Sequence, residues 1–354
     1  MHLSTSTSDW RRTVVGAALG LLAFVIACEL LFRLLPVSTA TKTNYDIDPA
    51  LLTYPPHHNW RMATGWDLRN AQRLRSNNVG FAAEIDFVPD PEALALVGDS
   101  YVEASMLPAA DRPAAQLQGF LGGTRKVYAM GAPGSSLLDY AERIRFARER
   151  FGVRNFVILM EAGDVRQALC GSGNIHSACL ERQTFAPRVE RLPEANALKR
   201  VLRESALAQY LKGQLKLDDG RLLRDVFDRP PASGAAMPAR DQAATTSGEA
   251  PAFVDVVTRI FFERVESHIA DGKMTIVVDG QRGSHGKRDQ ALEAERARFI
   301  VLARAHGVHI VDAETVYGHH FAGSSLSLDV GPYDAHLNAL GVQLVMSAAA
   351  RAVR

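Results

Sequence analysis

Residues 94–104 read LALVGDSYVEA. Four apolar residues, Leu94 to Val97, lead into Gly98, Asp99 and Ser100, and then into a segment that reads as the start of a helix. A short apolar run bounded in this way suits a strand buried on both faces of a parallel sheet. Gly98 lets the backbone turn sharply. Ser100 then stands at the carboxyl end of a strand, where α/β sheets place their ligands. A helix N-terminus just after it favours developing negative charge. The same position suits a plain helix N-cap, and the Gly-x-Ser-x-Gly elbow of α/β-hydrolases is absent. A serine hydroxyl also needs an adjacent base to attack anything.

Outward from this stretch, four more apolar runs read as buried strands: Lys126 to Met130, Phe156 to Met160, Met274 to Val278 and Val308 to Val311. Between them, residues 137–150, 253–270 and 289–306 carry apolar side chains at three- and four-residue spacing, the helical pattern. Strands alternating with helices predict an α/β fold around a parallel sheet. Residues 229–252, rich in Pro, Ala, Gly, Ser and Thr without a period, read as a mobile surface insertion. Tyr54, Trp60 and Trp66 suggest that the stretch before the first strand packs on the domain.

A base is available near the C-terminus. Residues 331–341 read GPYDAHLNALG, a polar loop carrying Asp334 and His336 ahead of a helical pattern. Residues two apart in an extended loop point to the same side, so the Asp334 carboxylate can hold the imidazole's tautomer and stabilise its charged form. Asp329 is a spare candidate for the acid. In a parallel sheet, the loop carrying Ser100 and the loop before the last helix open on the same edge, and Ser, Asp, His is one of the chain orders in which triads recur.

Residues 13–36 are apolar except for Glu29 and Arg33. About 20 such residues cross a bilayer, and Arg11 and Arg12 just before the run keep the N-terminus cytoplasmic. We expect a retained anchor over 13–36, a cytoplasmic stretch over 1–12 and an exported remainder. Glu29 and Arg33, spaced i,i+4, are placed to pair near the outer interface. Two other readings stay open: a cleaved signal ending at Ser38-Thr39-Ala40, and a lipoprotein signal in which Val25-Ile26-Ala27-Cys28 acts as a lipobox.

The 354 residues carry a formal net charge of +1, with 47% hydrophobic and 22% charged residues. That is an ordinary globular composition, without the basic stripe that nucleic-acid binding needs. Three cysteines do not make a disulfide scaffold. In an exported domain, Cys170 and Cys179 are candidates for one short-loop disulfide, with two free thiols as the alternative. The pairs His57-His58 and His319-His320 lack a metal-ligand framework, so no metal or other cofactor is expected. Arg282, His285 and Lys287 follow the fourth strand at the candidate edge, within reach of a substrate, and read rather as an exposed polar loop.

Taken together, these stretches resemble the SGNH/GDSL hydrolase superfamily, in its membrane-anchored bacterial form, over about residues 75–350. LVGDSYVEA is similar to the family's first block, AMGAPGSS (129–136) to the second, MEAGDVRQA (160–168) to the third and DAHLNALG (334–341) to the last; LRSNNVGF (74–81) resembles the segment that precedes the core. The resemblance implies a flavodoxin-like three-layer α/β/α sandwich, preceded by one transmembrane helix. Residues 37–74 would then be a linking and packing segment, and 75–354 the hydrolase domain. It implies Ser100 as nucleophile, His336 as base, Asp334 as acid, and backbone N–H groups of Ser100, Gly134 and Gly163 for the oxyanion. The third block departs from the family: its Asn is replaced by Gly163, ahead of Asp164, which leaves Gly163 only a backbone N–H to offer. Arg166 and Asn174 are candidate substitutes. Asp and His also stand two apart rather than three, as in polysaccharide-acetylation relatives. The implied activity is ester hydrolysis or O-acyl transfer on an envelope glycan or small ester, in the periplasm or outside the cell. The alternative is a catalytically degenerate envelope protein that binds glycan or a partner.

Overall fold

The structure is a computed structural model that describes residues 7–172, 177–192, 194–215, 252–282 and 289–354. Residues 229–251 of the expected insertion, together with Asn174, His285 and Lys287, lie outside the described residues. The chain divides into two compact units. One comprises Met1–Ala40, Trp60–Gln72 and Ala195–Ser233; the other comprises Thr41–Asn59, Arg73–Glu194 and Gly234–Arg354.

The larger unit holds a five-stranded parallel sheet made of β5 (Leu94–Gly98), β6 (Val127–Gly131), β7 (Asn155–Met160), β10 (Met274–Val278) and β11 (His309–Asp312). The short antiparallel pairs are β1 (Asn44–Asp48) with β2 (Leu51–Thr53), β3 (Asn59–Thr64) with β4 (Arg69–Arg75), and β8 (Cys179–Leu180) with β9 (Pro187–Arg188). The five runs expected as strands are these five strands, shifted by a residue at some ends. Their order across the sheet is β11-β10-β7-β5-β6, which in chain order is 2-1-3-4-5. That is the flavodoxin-like order, whose switch point falls where the first and third strands part. Here that point is between β5 and β7, which pair with Leu94 beside Asn155 and Gly98 beside Leu159.

Alternation along the strands explains the layers. Ala95, Val97, Phe156, Ile158, Ile276 and Val278 face one way, against α4 (Leu137–Phe151), α8 (Phe253–Ile269) and α9 (Gln290–Ala305). Leu94, Leu96, Val157, Leu159 and Val277 face the other way, against α3 (Pro113–Phe120), α10 (Ala313–Gly323) and α11 (Ala339–Val353). Both faces are covered, so the strands are apolar throughout rather than alternating. The three-layer α/β/α sandwich is therefore built as the sequence pattern required.

Local chemistry sets the helix ends. Asp289 caps α9 by accepting from the N–H groups of Ala291 and Leu292 at 3.0 and 3.1 Å, and Asn338 caps α11 through Gly341 N–H at 2.9 Å. At the start of α4, Asp139 accepts from Ser136 N–H at 2.8 Å, one half of a capping box.

In the smaller unit, α1 (Thr7–Leu34) includes a 25-residue apolar stretch, Trp10–Leu34, long and apolar enough to cross a membrane. The expected i,i+4 pair is present, with Arg33 Nε 2.8 Å from Glu29 Oε1. Trp60 is buried, but Trp66 is 57% exposed, contrary to the packing expected of it. It lies in the turn between β3 and β4, where the chain reverses outside any apolar layer.

Candidate active site

Ser100 opens α2 (Ser100–Glu103), a single turn that leaves β5 through Asp99. Close packing makes this turn possible. A Cβ on Gly98 would strike the Leu159 carbonyl and Val102, and one on Gly131 would come 2.6 Å from Glu103 N. Glycine at both positions lets β5 approach β7, and β6 approach α2, backbone to backbone. Asp99, not Ser100, is the N-cap: its Oδ1 accepts from Tyr101 N–H at 2.8 Å.

His336 arrives from the far end of the chain on a loop braced like a hairpin. Asp329 and Leu337 form an antiparallel bridge, and Val330 N–H donates to the His336 carbonyl at 2.9 Å. Asn338 ties the loop base to the Ser327 and Asp329 carbonyls at 2.7 and 3.2 Å. The imidazole Nε2 lies 2.8 Å from Ser100 Oγ, and Nδ1 lies 2.5 Å from Asp334 Oδ1. An ionised carboxylate only accepts, so Nδ1 carries the proton and Nε2 presents its lone pair to the serine hydroxyl. Asp334 Oδ1 also accepts from His336's own N–H at 2.9 Å, which fixes the two-residue spacing.

Burial works against the charged imidazolium. The hydrogen bond and charge of Asp334, with Asp99 behind them, outweigh it and hold the His336 pKa above its ordinary value, while the Arg282 charge pulls the other way.

Arg282 is the residue whose place the sequence hid. Instead of an exposed loop side chain it is a half-buried clamp. Its guanidinium donates to Asp279 Oδ2 at 2.6 Å, Asp329 Oδ1 at 2.5 Å, Tyr101 Oη at 2.7 Å and the Ala335 carbonyl. It thereby joins the end of β10, the nucleophile turn and the His336 loop. Asp329, the spare acid, is spent on this clamp; Asp334 is the carboxylate on the imidazole. Tyr317 Oη completes the group by donating to Asp279 Oδ1 at 2.6 Å.

Arg143 plays a matching part on the opposite face of the sheet. It is 2% exposed and reaches the Gly98 carbonyl and Ser135 Oγ. The loop between β6 and α4 is thus fastened to the end of β5. Gly134 lies in that loop with φ 75°.

The third block is rebuilt. Gly163 precedes α5 (Asp164–Gln167). Asp164 is fully buried; its Oδ2 accepts from Tyr140 Oη at 2.7 Å and from Glu161 N–H at 2.8 Å. Burial, then the neighbouring Asp99 and Glu161 charges, push its pKa well above the carboxylate range. Glu161 is raised too, first by burial and then by Asp99 and Asp279. Arg166 is not free to serve the site, because it grips Glu295 with Nη2 2.5 Å from Oε1. Instead, a Cβ built on Gly163 would come 3.3 Å from Gln167 Nε2 and 3.2 Å from Glu161 Oε2. The Gln167 amide therefore occupies the space into which a side chain at 163 would grow.

Cys170 and Cys179 are joined as a disulfide with Cα atoms 5.1 Å apart. Of the histidine pairs, His57 Nδ1 meets Arg75 at 2.7 Å and His320 Nε2 meets the Leu326 carbonyl at 2.9 Å.

No family model and no curated protein matches this chain. Among solved structures it is similar to an acetylxylan esterase from Geobacillus stearothermophilus, with 10% identity, TM-score 0.41, and 75% of this chain and 95% of that one covered. It is also similar to a member of the lipolytic G-D-S-L family from Veillonella parvula, with 11% identity, TM-score 0.40, and coverage of 73% and 96%. A third is an α/β hydrolase enzyme from the metagenome of Lake Arreo, with 12% identity, TM-score 0.40, and coverage of 75% and 96%. The fold rests on the chain's own strand order. That order, 2-1-3-4-5, makes the larger unit a flavodoxin-like α/β/α sandwich with a Ser100–His336–Asp334 hydrogen-bond chain beside the switch point of its sheet.

Proposed function

We propose that this chain is a membrane-anchored serine esterase or O-acyltransferase of the SGNH/GDSL type, acting on ester-linked acyl groups. The observation that carries the reading is the unbroken relay from Ser100 Oγ through His336 to Asp334, at 2.8 and 2.5 Å. Side chains 236 residues apart in sequence meet there in the donor–acceptor sense that serine catalysis needs.

In this mechanism His336 Nε2 takes the Ser100 hydroxyl proton as Oγ bonds to the ester carbonyl carbon. The carbonyl π electrons move onto oxygen. The N–H groups of Ser100 and Gly134 receive that oxyanion, and the Gln167 amide replaces the absent side chain at 163. When the tetrahedral adduct collapses, the bond to the leaving alcohol breaks and His336 returns the proton to that oxygen. Water or a sugar hydroxyl then gives its proton to His336, attacks the acyl-serine and releases Ser100. The substrate class follows from the carbohydrate-active relatives that the sequence blocks resemble: O-acetyl groups on an envelope or extracellular glycan. The α1 helix would hold the enzyme in the inner membrane with the sandwich outside the cytoplasm.

The test compares hydrolysis of p-nitrophenyl acetate by the full chain with that by Ser100→Ala and His336→Ala. Loss of activity in both folded variants, with fluorophosphonate labelling of the wild type at Ser100, is expected. A wild type no faster than Ser100→Ala and unlabelled by the probe would overturn the reading in favour of a degenerate binding domain, which Gly163 in the third block would suit.

A further inference from the structure

The smaller unit carries a feature that acyl transfer does not use. The helix α6 (Ala197–Glu204) is amphipathic. At 3.6 residues per turn, Ala197, Leu198, Val201 and Leu202 fall within an arc of about 140°, and Lys199, Arg200, Arg203 and Glu204 occupy the opposite side. In a water-soluble unit the apolar arc would be covered. Here Leu198 and Val201 are 67% and 68% exposed.

The position of this helix on the unit identifies what covers it. The turn that joins α6 to α7 (Ala206–Gln209) is bound to α1. Glu29 accepts from Ser205 Oγ at 2.8 Å and from the N–H groups of Ala206 and Leu207 at 3.0 Å each. Phe32 stacks on Tyr210 with ring centroids 4.3 Å apart, and Tyr210 Oη donates to the Trp66 carbonyl at 2.8 Å. The Glu29 and Phe32 ties fall on the last turn and a half of α1.

A helix of 25 residues is about 37 Å long, and the hydrocarbon layer is about 30 Å thick. With Trp10 at the inner edge of that layer, Glu29 lies about 28 Å along the helix, so Glu29–Leu34 runs from its outer edge into the headgroups. Whatever is fastened to Glu29 and Phe32 lies there too. The exposed Trp66 fits the same depth, since tryptophan concentrates at membrane interfaces.

We propose that residues 197–215 form a collar that lies on the outer face of the bilayer. Its Leu198–Val201 face enters the acyl boundary, and its Lys199, Arg200 and Arg203 side chains engage anionic lipid headgroups. An amphipathic helix of this pattern binds by buried apolar area together with attraction to anionic lipid. The collar gives the anchor a second hold on the membrane and fixes the height of its outer end. The proposal rests on α1 spanning the bilayer, and the test separates the two.

Full-length protein carrying Cys28→Ser and one new cysteine is labelled with an environment-sensitive fluorophore and reconstituted into vesicles. The vesicles are phosphatidylcholine, with or without phosphatidylglycerol, and carry a quencher near the headgroup end or near the middle of the acyl chain. The label positions are Leu19→Cys in the span, Val201→Cys in the collar and Val301→Cys on the other unit. Mid-chain quenching at 19, headgroup-level quenching at 201 and none at 301 is the expected pattern. Quenching at 201 should deepen with phosphatidylglycerol, and Lys199→Gln/Arg200→Gln/Arg203→Gln should abolish that increment. If 19 is quenched but 201 behaves like 301, the collar is wrong while the anchor stands, and the apolar face belongs to a protein partner. If 19 is not quenched by either lipid, the anchor itself fails and the collar with it.

Discussion

The loops that follow β5 and β7 leave neighbouring strands of one sheet, yet they are built in opposite ways. The first presents the proposed nucleophile: Ser100 is the foremost residue of α2, and the residues around it fix its position. Asp99 caps the turn, Gly98 and Gly131 let it pack, and Arg143 pins the Gly98 carbonyl from below. The second keeps its scaffold and lacks the side chain expected at its tip. Asp164 is buried and bonded to Tyr140 and to Glu161 N–H, but Gly163 offers a backbone N–H and no side-chain donor. The difference is that the first loop carries a side-chain hydroxyl at its tip, whereas at the second the Gln167 amide lies 3.3 Å from where a Cβ on Gly163 would stand.

The largest break in the first loop's machinery would come from Asp334→Asn. The amide can bond to Nδ1 only with the imidazole in the wrong tautomer or through its own oxygen, and loss of about 10⁴-fold in kcat is expected. Since Asp334 also raises the His336 pKa, the acid limb of the residual rate should move to lower pH. A stopped assay of ester hydrolysis from pH 5 to 9 reads both.

The second loop is tested by Gln167→Ala. Removing one oxyanion donor costs about 10²–10³-fold in kcat, with KM little changed. Gly163→Asn restores a side-chain amide at the family position, but its Cβ would come 3.3 Å from Gln167 Nε2. In wild type it should therefore crowd the site, and in Gln167→Ala it should rescue part of the lost rate. If Gln167→Ala is as fast as wild type, the second loop has no electrostatic part and the two loops differ in kind.

Much of this could be read from the chain. The five strands are continuous apolar runs because the sheet is covered on both faces. Ser100 and His336 were legible because their neighbours form recognisable local patterns. Arg143 and Arg282 were not. Arg143 follows Tyr140 by three and precedes Ala147 by four, so it lies on the buried stripe of α4; a charge there reads as a flaw in the pattern unless its distant acceptor is known. Besides nearby Asp279, Arg282 meets partners at positions 101, 329 and 335, and no periodicity links residues that far apart. Burial of a cation becomes tolerable only when several acceptors converge on it, and convergence is a property of the fold.

Arg282 sharpens the comparison further, because it serves the first loop without touching the reacting atoms. Arg282→Met releases the His336 loop from β10 and α2, and a misplacement of about 1 Å in such a relay costs about 10²-fold. Its charge lowers the His336 pKa, so its removal should shift the acid limb to higher pH, opposite to Asp334→Asn. Arg282→Lys keeps the charge and loses the forked geometry. It should lower kcat with the limb left near its wild-type position. A rate loss in Arg282→Met without any movement of the limb would reduce the residue to a packing role.

The smallest effect concerns an acid that both loops leave alone. Glu103 closes α2, is 3% exposed, and accepts from Tyr54 Oη at 3.2 and 3.3 Å. Burial, only partly offset by the Tyr54 hydrogen bond and the Arg112 charge, pushes its pKa from 4.5 up to about 7. Between those values the folded chain keeps a proton that the unfolded chain has released. Stability must therefore fall as pH rises from about 4.5 to about 7, by up to about 3 kcal/mol, and level off above. Glu103→Gln cannot titrate and should flatten that slope while leaving the Ser100–His336 relay in place. Urea unfolding at pH 5 and pH 8 reads the difference between the two proteins. Parallel slopes would mean that Glu103 is ionised in the fold across this range, held so by Arg112, and that α2 closes on an ion pair rather than on a neutral acid.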